Sequence, residues 1–320
     1  MIDTNGFITE KLLSDYQYYS LNRRLFGSNY LDRKSQRVEM LSGLFYHRNQ
    51  IELIRACSLN DYGGGFMACS YEERELIFKR DDLKIFSKLL TPKEKERFPL
   101  VIICHGFGGN LNSTYDHAVN MVNAGFVSCV FDFIGGGPQI QSDGTMLDMT
   151  VLTEVKDLRV VLDGLKKLDM VDPDNVFLLG ESQGGFVCSY FAATYPDEIR
   201  GLIPFYPAYV IQDDAKKRIE EYGTDREWIE VMGQKISVRY GIDATSFDIY
   251  DMLPNYTGNV LIIHGTSDSI VPLSYSQRAA EAFPSAKLIT IEGADHGYSG
   301  EDRKYAVGKT IEFIKANIKT

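Results

Sequence analysis

The stretch that most narrows the possible folds is Gly180-Glu181-Ser182-Gln183-Gly184-Gly185, which follows directly on the apolar run Val176-Phe177-Leu178-Leu179. A short buried strand that turns at once into an apolar helix brings backbone against backbone. Glycines at 180 and 184 remove the side chains that would collide there. The serine between them is then held at the tip of a strained turn, in the context of a nucleophile elbow. A helix starting near Gln183 directs its free N–H groups at the spot where an acyl oxyanion would form. The same pentapeptide also arises by chance in ordinary Gly-rich turns, so the strand before it and the helix after it carry the reading.

The flanking sequence repeats that grammar. Leu100-Val101-Ile102-Ile103-Cys104, Phe126-Val127-Ser128-Cys129-Val130-Phe131, Leu202-Ile203-Pro204-Phe205, Val260-Leu261-Ile262-Ile263 and Lys287-Leu288-Ile289-Thr290-Ile291 read as strands. The continuous apolar runs among them suit a parallel sheet covered on both faces. Helices are expected near 113–123, 150–168, 184–194, 273–283 and 302–317. Strands alternating with helices imply an α/β fold with a mostly parallel, doubly wound sheet. Glu75-Leu76-Ile77-Phe78 and Leu83-Lys84-Ile85-Phe86-Ser87 flank Arg80-Asp81-Asp82 and read as a β-hairpin.

Two regions break the alternation. Residues 1–72 carry many Tyr and Arg, have helix-like stretches around 8–20 and 35–58, and end in Gly63-Gly64-Gly65. They read as a helical N-terminal extension: a cap over the site, a dimer contact giving a homo-oligomer, or core padding. Residues from about 209 to 256 lie between two core strands and are rich in charged and aromatic side chains. An insertion at the strands' C-terminal side is where an α/β fold places a substrate lid. The domain expectation is therefore an extension, 1–72, followed by a catalytic domain, 73–320, carrying that lid.

A serine hydroxyl needs a base, and the base an orienting acid. There are only five histidines. His47 lies in the extension and His117 in a helix; His105 and His264 adjoin strand ends. His296, in Glu292-Gly293-Ala294-Asp295-His296-Gly297, follows the last strand, where a short loop can bring its imidazole over the sheet edge. His296 is the expected base. Asp268, in the loop after strand 260–263, is the expected acid, because the side chain of the rival Asp295 diverges from its neighbour. The chain order Ser182, Asp268, His296 is a known triad order. The oxyanion donors are expected to be the N–H groups of Gln183 and of Phe107, the latter in His105-Gly106-Phe107-Gly108-Gly109. The His105 side chain is expected to brace that loop. Leu111 stands where a Gly-x-Gly-x-x-Gly motif needs its third glycine, so no dinucleotide is expected. No His, Cys and carboxylate spacing suggests a metal. No cofactor is therefore expected.

With these residues in place, the chain from about Glu73 onward resembles an α/β-hydrolase, and within that superfamily the cinnamoyl/feruloyl esterase-like bacterial serine esterases. The resemblance rests on His105-Gly106-Phe107-Gly108-Gly109, Ser142-Asp143-Gly144, Gly180-Glu181-Ser182-Gln183-Gly184-Gly185, His264-Gly265-Thr266-Ser267-Asp268 and Glu292-Gly293-Ala294-Asp295-His296. It implies a serine esterase cleaving hydroxycinnamoyl or other small esters, with Ser182, Asp268 and His296 as triad and Phe107 and Gln183 as oxyanion donors. A peptidase or acyltransferase of the same fold is the alternative; Asp213, Asp214, Glu220 and Glu221 would be its candidates for holding a substrate amine. A non-catalytic binding module is the third reading.

Composition excludes other classes. A formal net charge of -10 with no Lys/Arg cluster argues against a nucleic-acid partner. No apolar run is long enough to cross a bilayer, and the N-terminus lacks a basic region followed by an apolar stretch. The five cysteines are scattered and odd in number, which suits a reducing compartment. A cytoplasmic protein with a small-molecule ester substrate, and no membrane partner, is the expectation.

Overall fold

The computed structural model describes residues 44–47, 50–53, 71–94 and 96–320. Most of the extension, and with it the cap, dimer-contact and padding readings, lies outside the described residues. The helix-like stretch around 35–58 is described only at β1 (Leu44–His47) and β2 (Gln50–Leu53), and there it is an antiparallel hairpin. The helical reading is corrected at that point. Phe45, Tyr46 and Ile51 are residue types that favour extended backbone over helix.

An eight-stranded sheet carries the rest. Its strands are β3 (Tyr71–Arg80), β4 (Leu83–Pro92), β5 (Phe98–Cys104), β6 (Val127–Phe131), β7 (Val171–Glu181), β8 (Gly201–Phe205), β11 (Asn259–Gly265) and β12 (Ala286–Ile291). The spatial order is β12-β11-β8-β7-β5-β6-β4-β3. β4 pairs antiparallel with both β3 and β6, and every other pair is parallel. The β3–β4 turn is made by Asp81 and Asp82, with Asp81 at φ 56°. Aspartate tolerates that left-handed conformation better than most residues.

The continuous apolar runs are explained by the two layers. Val101, Ile103, Leu179, Ile203 and Ile263 pack with Leu111, Met121, Ala306 and Ile314, from helices α1 (Leu111–Asn123) and α8 (Gly300–Asn317). Their strand neighbours Leu100, Ile102, Leu178, Leu202 and Ile262 point the other way. They pack with α2 (Val151–Leu165), α3 (Gln183–Thr194) and α7 (Leu273–Ala282), through Leu158, Leu162, Phe186, Phe191 and Ala279. The fold is the mostly parallel, doubly wound sheet expected from the sequence.

The insertion follows β8. It comprises α4 (Ile211–Tyr222), the hairpin β9 (Trp228–Val231) and β10 (Gln234–Ser237), then α5 (Val238–Thr245), α6 (Ile249–Met252) and a 3-10 turn at Leu253–Asn255. Buried Tyr209, Ile236, Tyr240, Ala244, Ile249 and Leu253 join it to the core on the α2–α3 side. Gln212 holds it together from inside. Its Nε2 donates to the carbonyls of Ala244 and Phe247 at 2.7 and 2.5 Å, and its Oε1 accepts from Ile249 N–H at 2.9 Å. Among the described residues no helix is long and apolar enough to cross a membrane.

Candidate active site

The turn between β7 and α3 has the strain expected of it. Ser182 sits at φ 52° and ψ −117°, a region that L-residues rarely occupy. A Cβ on Gly180 would meet the Gly184 carbonyl oxygen at 2.3 Å, and one on Gly184 would meet the Cys104 oxygen at 2.4 Å. Neither position can carry a side chain without moving backbone. The serine is bolted to the end of β8, its N–H donating to Phe205 O at 3.0 Å and its carbonyl accepting from Ala208 N–H at 2.9 Å.

The three residues named from the sequence converge here. His296 Nε2 lies 3.0 Å from Ser182 Oγ, and His296 Nδ1 lies 2.8 Å from Asp268 Oδ2. Asp268 Oδ1 accepts from the N–H groups of Ile270 and Val271 at 2.9 and 2.7 Å. Burial pushes the Asp268 carboxyl up, but hydrogen bonds from His264, His296 and Val271 outweigh it and hold the group well below the ordinary carboxylate range. It is ionised wherever the protein is folded at neutral pH. His264 Nε2 donates to Val271 O at 2.9 Å and lies 3.2 Å from Asp268 Oδ2, so a second imidazole buttresses the acid.

Asp295 does something else. Its Oδ1 accepts from Ser269 N–H and Oγ–H, both at 2.8 Å, and from His296 N–H at 2.7 Å. It ties the loop after β12 to the loop after β11 and does not touch the imidazole ring.

The loop after β5 runs beside the serine, since a Cβ on Gly106 would lie 3.1 Å from Ser182 Cβ. His105 braces that loop. Its Nε2 accepts from Phe133 N–H at 3.2 Å, which leaves Nδ1 to donate to Gly106 O at 2.8 Å. Burial lowers the pKa of this imidazole, in keeping with the neutral form. Among the described residues the backbone N–H groups of Phe107 and Gln183 have no hydrogen-bond acceptor. They flank Ser182 from two elements, one at the start of a 12-residue helix whose dipole favours negative charge. Ser142 and Asp143 fasten the loop after β6 to β4: Ser142 Oγ accepts from Phe86 N–H and Asp143 Oδ2 from Lys84 N–H.

Several neighbours of the site were not read from the sequence. Glu181, beside the serine, is partly buried against the buried His117, whose Nε2 donates to it at 2.8 Å. Burial raises the Glu181 pKa, but hydrogen bonds from His117 and Tyr206 and the charge of Arg303 bring it below the ordinary value. Tyr206, at φ 35°, packs edge-on against the His296 ring with centroids 4.7 Å apart. Tyr240 from α5 and Glu154 from α2 both bond the Gln183 side chain. Only Glu154 left a trace: Val151, Glu154, Val155 and Leu158 follow helical spacing along one stripe, which puts a carboxyl on an apolar face.

Residues 95–223 match the family model of a serine aminopeptidase, S33, and residues 247–315 that of a TAP-like protein. The structure resembles Est1E of Butyrivibrio proteoclasticus, solved with bound ferulic acid. The identity is 29% and the TM-score 0.69, with 76% of this chain and 98% of that chain covered. In sequence, the human (lyso)-N-acylphosphatidylethanolamine lipase is 27% identical over 124 residues, 38% of this chain and 33% of that protein. A 31.7 kDa protein of Escherichia coli from the traX-finO intergenic region is 32% identical over 96 residues, 30% of this chain and 32% of that protein. The chain thus spans about a third of the length of the curated relatives it matches. It belongs to the α/β-hydrolase superfamily and resembles the cinnamoyl/feruloyl esterase-like bacterial serine esterases.

Proposed function

We propose that this protein is a serine carboxylic-ester hydrolase that works through an acyl-enzyme on hydroxycinnamoyl or other small aromatic or short-chain esters. The observation that carries the reading is the unbroken chain Ser182 Oγ, His296 and Asp268, at 3.0 and 2.8 Å, beside two unengaged N–H groups. Ser182 attacks the ester carbonyl while His296 Nε2 takes its proton. Asp268 fixes the tautomer and supports the imidazolium. The oxyanion is held by Phe107 N–H and Gln183 N–H. His296 returns the proton to the leaving alcohol, and water, deprotonated by the same imidazole, releases the acid. The substrate class leans on the likeness to Est1E, whose structure holds ferulic acid.

The family model named for an aminopeptidase keeps the peptidase reading in view. Two of its four candidate amine-binding carboxylates are otherwise engaged, Asp213 accepting from Tyr275 Oη at 2.8 Å and Asp214 pairing with Arg218 at 3.5 Å, while Glu220 and Glu221 are exposed. Ester hydrolysis is therefore preferred.

The test is a panel of p-nitrophenyl acetate, p-nitrophenyl butyrate, a long-chain ester, methyl ferulate and an aminoacyl anilide, given to wild type and Ser182→Ala. Methyl ferulate should be turned over and the variant should lose at least about 10³-fold in kcat. Turnover of short p-nitrophenyl esters alone would leave the triad and remove the hydroxycinnamoyl assignment. Anilide cleavage would favour the peptidase, and an active Ser182→Ala would sink the nucleophile.

A further inference from the structure

Two contacts between the insertion and the main domain lie on one face of α5. Tyr240 and Asp243 are three residues apart, which places them together on a helix. Asp243 Oδ2 accepts the Thr150 hydroxyl at 2.6 Å, and Thr150 caps the start of α2. The Tyr240 hydroxyl donates to Gln183 Oε1 at 2.6 Å, and Gln183 Nε2 donates to Glu154 Oε2 at 2.8 Å. Glu154 lies in the first turn of α2. Hence α5 meets that turn twice, once directly and once through the Gln183 side chain. The Tyr240 ring also packs edge-on against Phe107, with centroids 6.2 Å apart. One residue of the insertion touches the side chains of both proposed oxyanion donors.

The arrangement is buried, with Gln183 and Glu154 each 1% exposed and Tyr240 5%. A primary amide in such a place is costly unless both of its ends are paired, and here both are. Helix α3 has no side-chain cap, because Ser182 makes no capping bond. The backbone bonds and close glycine contacts at Ser182 fix the turn, and the grip on the Gln183 side chain adds a second hold on the first residue of that helix. Burial, and secondarily the charge of Asp157, raises the Glu154 carboxyl well above its ordinary pKa against the opposing Gln183 hydrogen bond. That direction works against a negative charge being set beside a developing oxyanion.

We propose that Tyr240 and Glu154 are positioning residues: they clamp the Gln183 carboxamide and so hold the Gln183 N–H, together with the insertion, in the geometry an ester oxyanion requires. This rests on the ester-hydrolase reading above. An oxyanion exists only after attack, so loosening the clamp should weaken binding of the transition state and spare that of the substrate.

Tyr240→Phe removes the hydroxyl and keeps the ring against Phe107. Its kcat and KM would be measured on whichever ester wild type hydrolyses, with affinities for a trifluoromethyl ketone, which forms a tetrahedral adduct, and for the product acid. The expected result is a fall in kcat of about 10-fold with KM within about 2-fold. Ketone affinity should fall in step with kcat/KM, and product-acid affinity should hold. Glu154→Leu should fall similarly, and Glu154→Gln, which restores a neutral acceptor for Gln183, should recover most of the loss. If Tyr240→Phe melts early, Asp243→Ala replaces it; it loosens α5 without touching Gln183, and about a 3-fold kcat loss at constant KM is expected. Unchanged kcat in the folded variant overturns the proposal, as does a rise in KM alone. An active wild type with an unchanged variant overturns this inference only; a wild type inert on every ester overturns the ester-hydrolase reading and this one together.

Discussion

The elbow at Ser182 and the insertion at 209–256 are two solutions to the same problem, holding a functional side chain still. The elbow is held by backbone. Gly180, Gly184 and the Cys104 carbonyl leave no room for an alternative, and the residues that matter most are neighbours in sequence or on adjacent strands. The insertion is held by side chains acting over long separations: Gln212 to residues 244–249, Thr150 to Asp243, Tyr240 to Gln183, Asp213 to Tyr275. Steric exclusion tolerates no substitution, whereas a hydrogen bond can be lost one at a time. A superfamily fold can therefore keep its elbow and change its insertion.

The comparison is broken most severely from the elbow side. Gly184→Ala would force a Cβ to 2.4 Å from the Cys104 oxygen and 2.6 Å from the His105 oxygen, with no flexible side chain to yield. A loss of about 3–5 kcal/mol is expected, read as a lowered urea midpoint or absence of soluble protein. A variant as stable as wild type would show that the elbow is not sterically fixed.

Gln212→Leu attacks the insertion alone. It strands two carbonyls and one N–H, each costing about 1–3 kcal/mol before relaxation and water entry, so about 2–4 kcal/mol in all is expected. Hydrogen exchange should quicken across 244–250 while amides of 176–190 stay protected. Exchange spreading into the elbow would mean that the two regions open as one.

The smallest effect sharpens the join between them. Glu154 has a raised pKa in the folded protein, so the folded state binds its proton more tightly than the unfolded chain. Its contribution is full below the unfolded carboxylate range and is lost as pH climbs through the raised folded value. Glu154→Gln should flatten that decline in melting temperature on the alkaline side. Parallel curves for wild type and variant would exclude Glu154 as the source.

The same contrast explains how much could be read from the sequence. The strand–helix alternation, the elbow and the order of Ser182, Asp268 and His296 follow from local patterns: apolar runs, glycines at fixed offsets, loops after strands. The structure brings those three side chains within hydrogen-bonding distance. The partnerships of Glu181 with His117, of Tyr206 with His296 and of Tyr240 with Gln183 span 57 to 90 residues and leave no periodic trace. Tyr206 takes a left-handed φ that nothing in Phe205-Tyr206-Pro207 announces. Asp295 adjoins His296, and the divergence of adjacent side chains that sets it aside as the acid leaves it free to grip that residue's backbone.

That grip has a mechanical consequence. Asp295 sews the loop bearing His296 to Ser269, one residue beyond Asp268, so imidazole and carboxylate travel as one lever. That lever meets the elbow at the 3.0 Å approach of His296 Nε2 to Ser182 Oγ. Opening that gap would separate the serine from its base while leaving the imidazole–carboxylate pair intact.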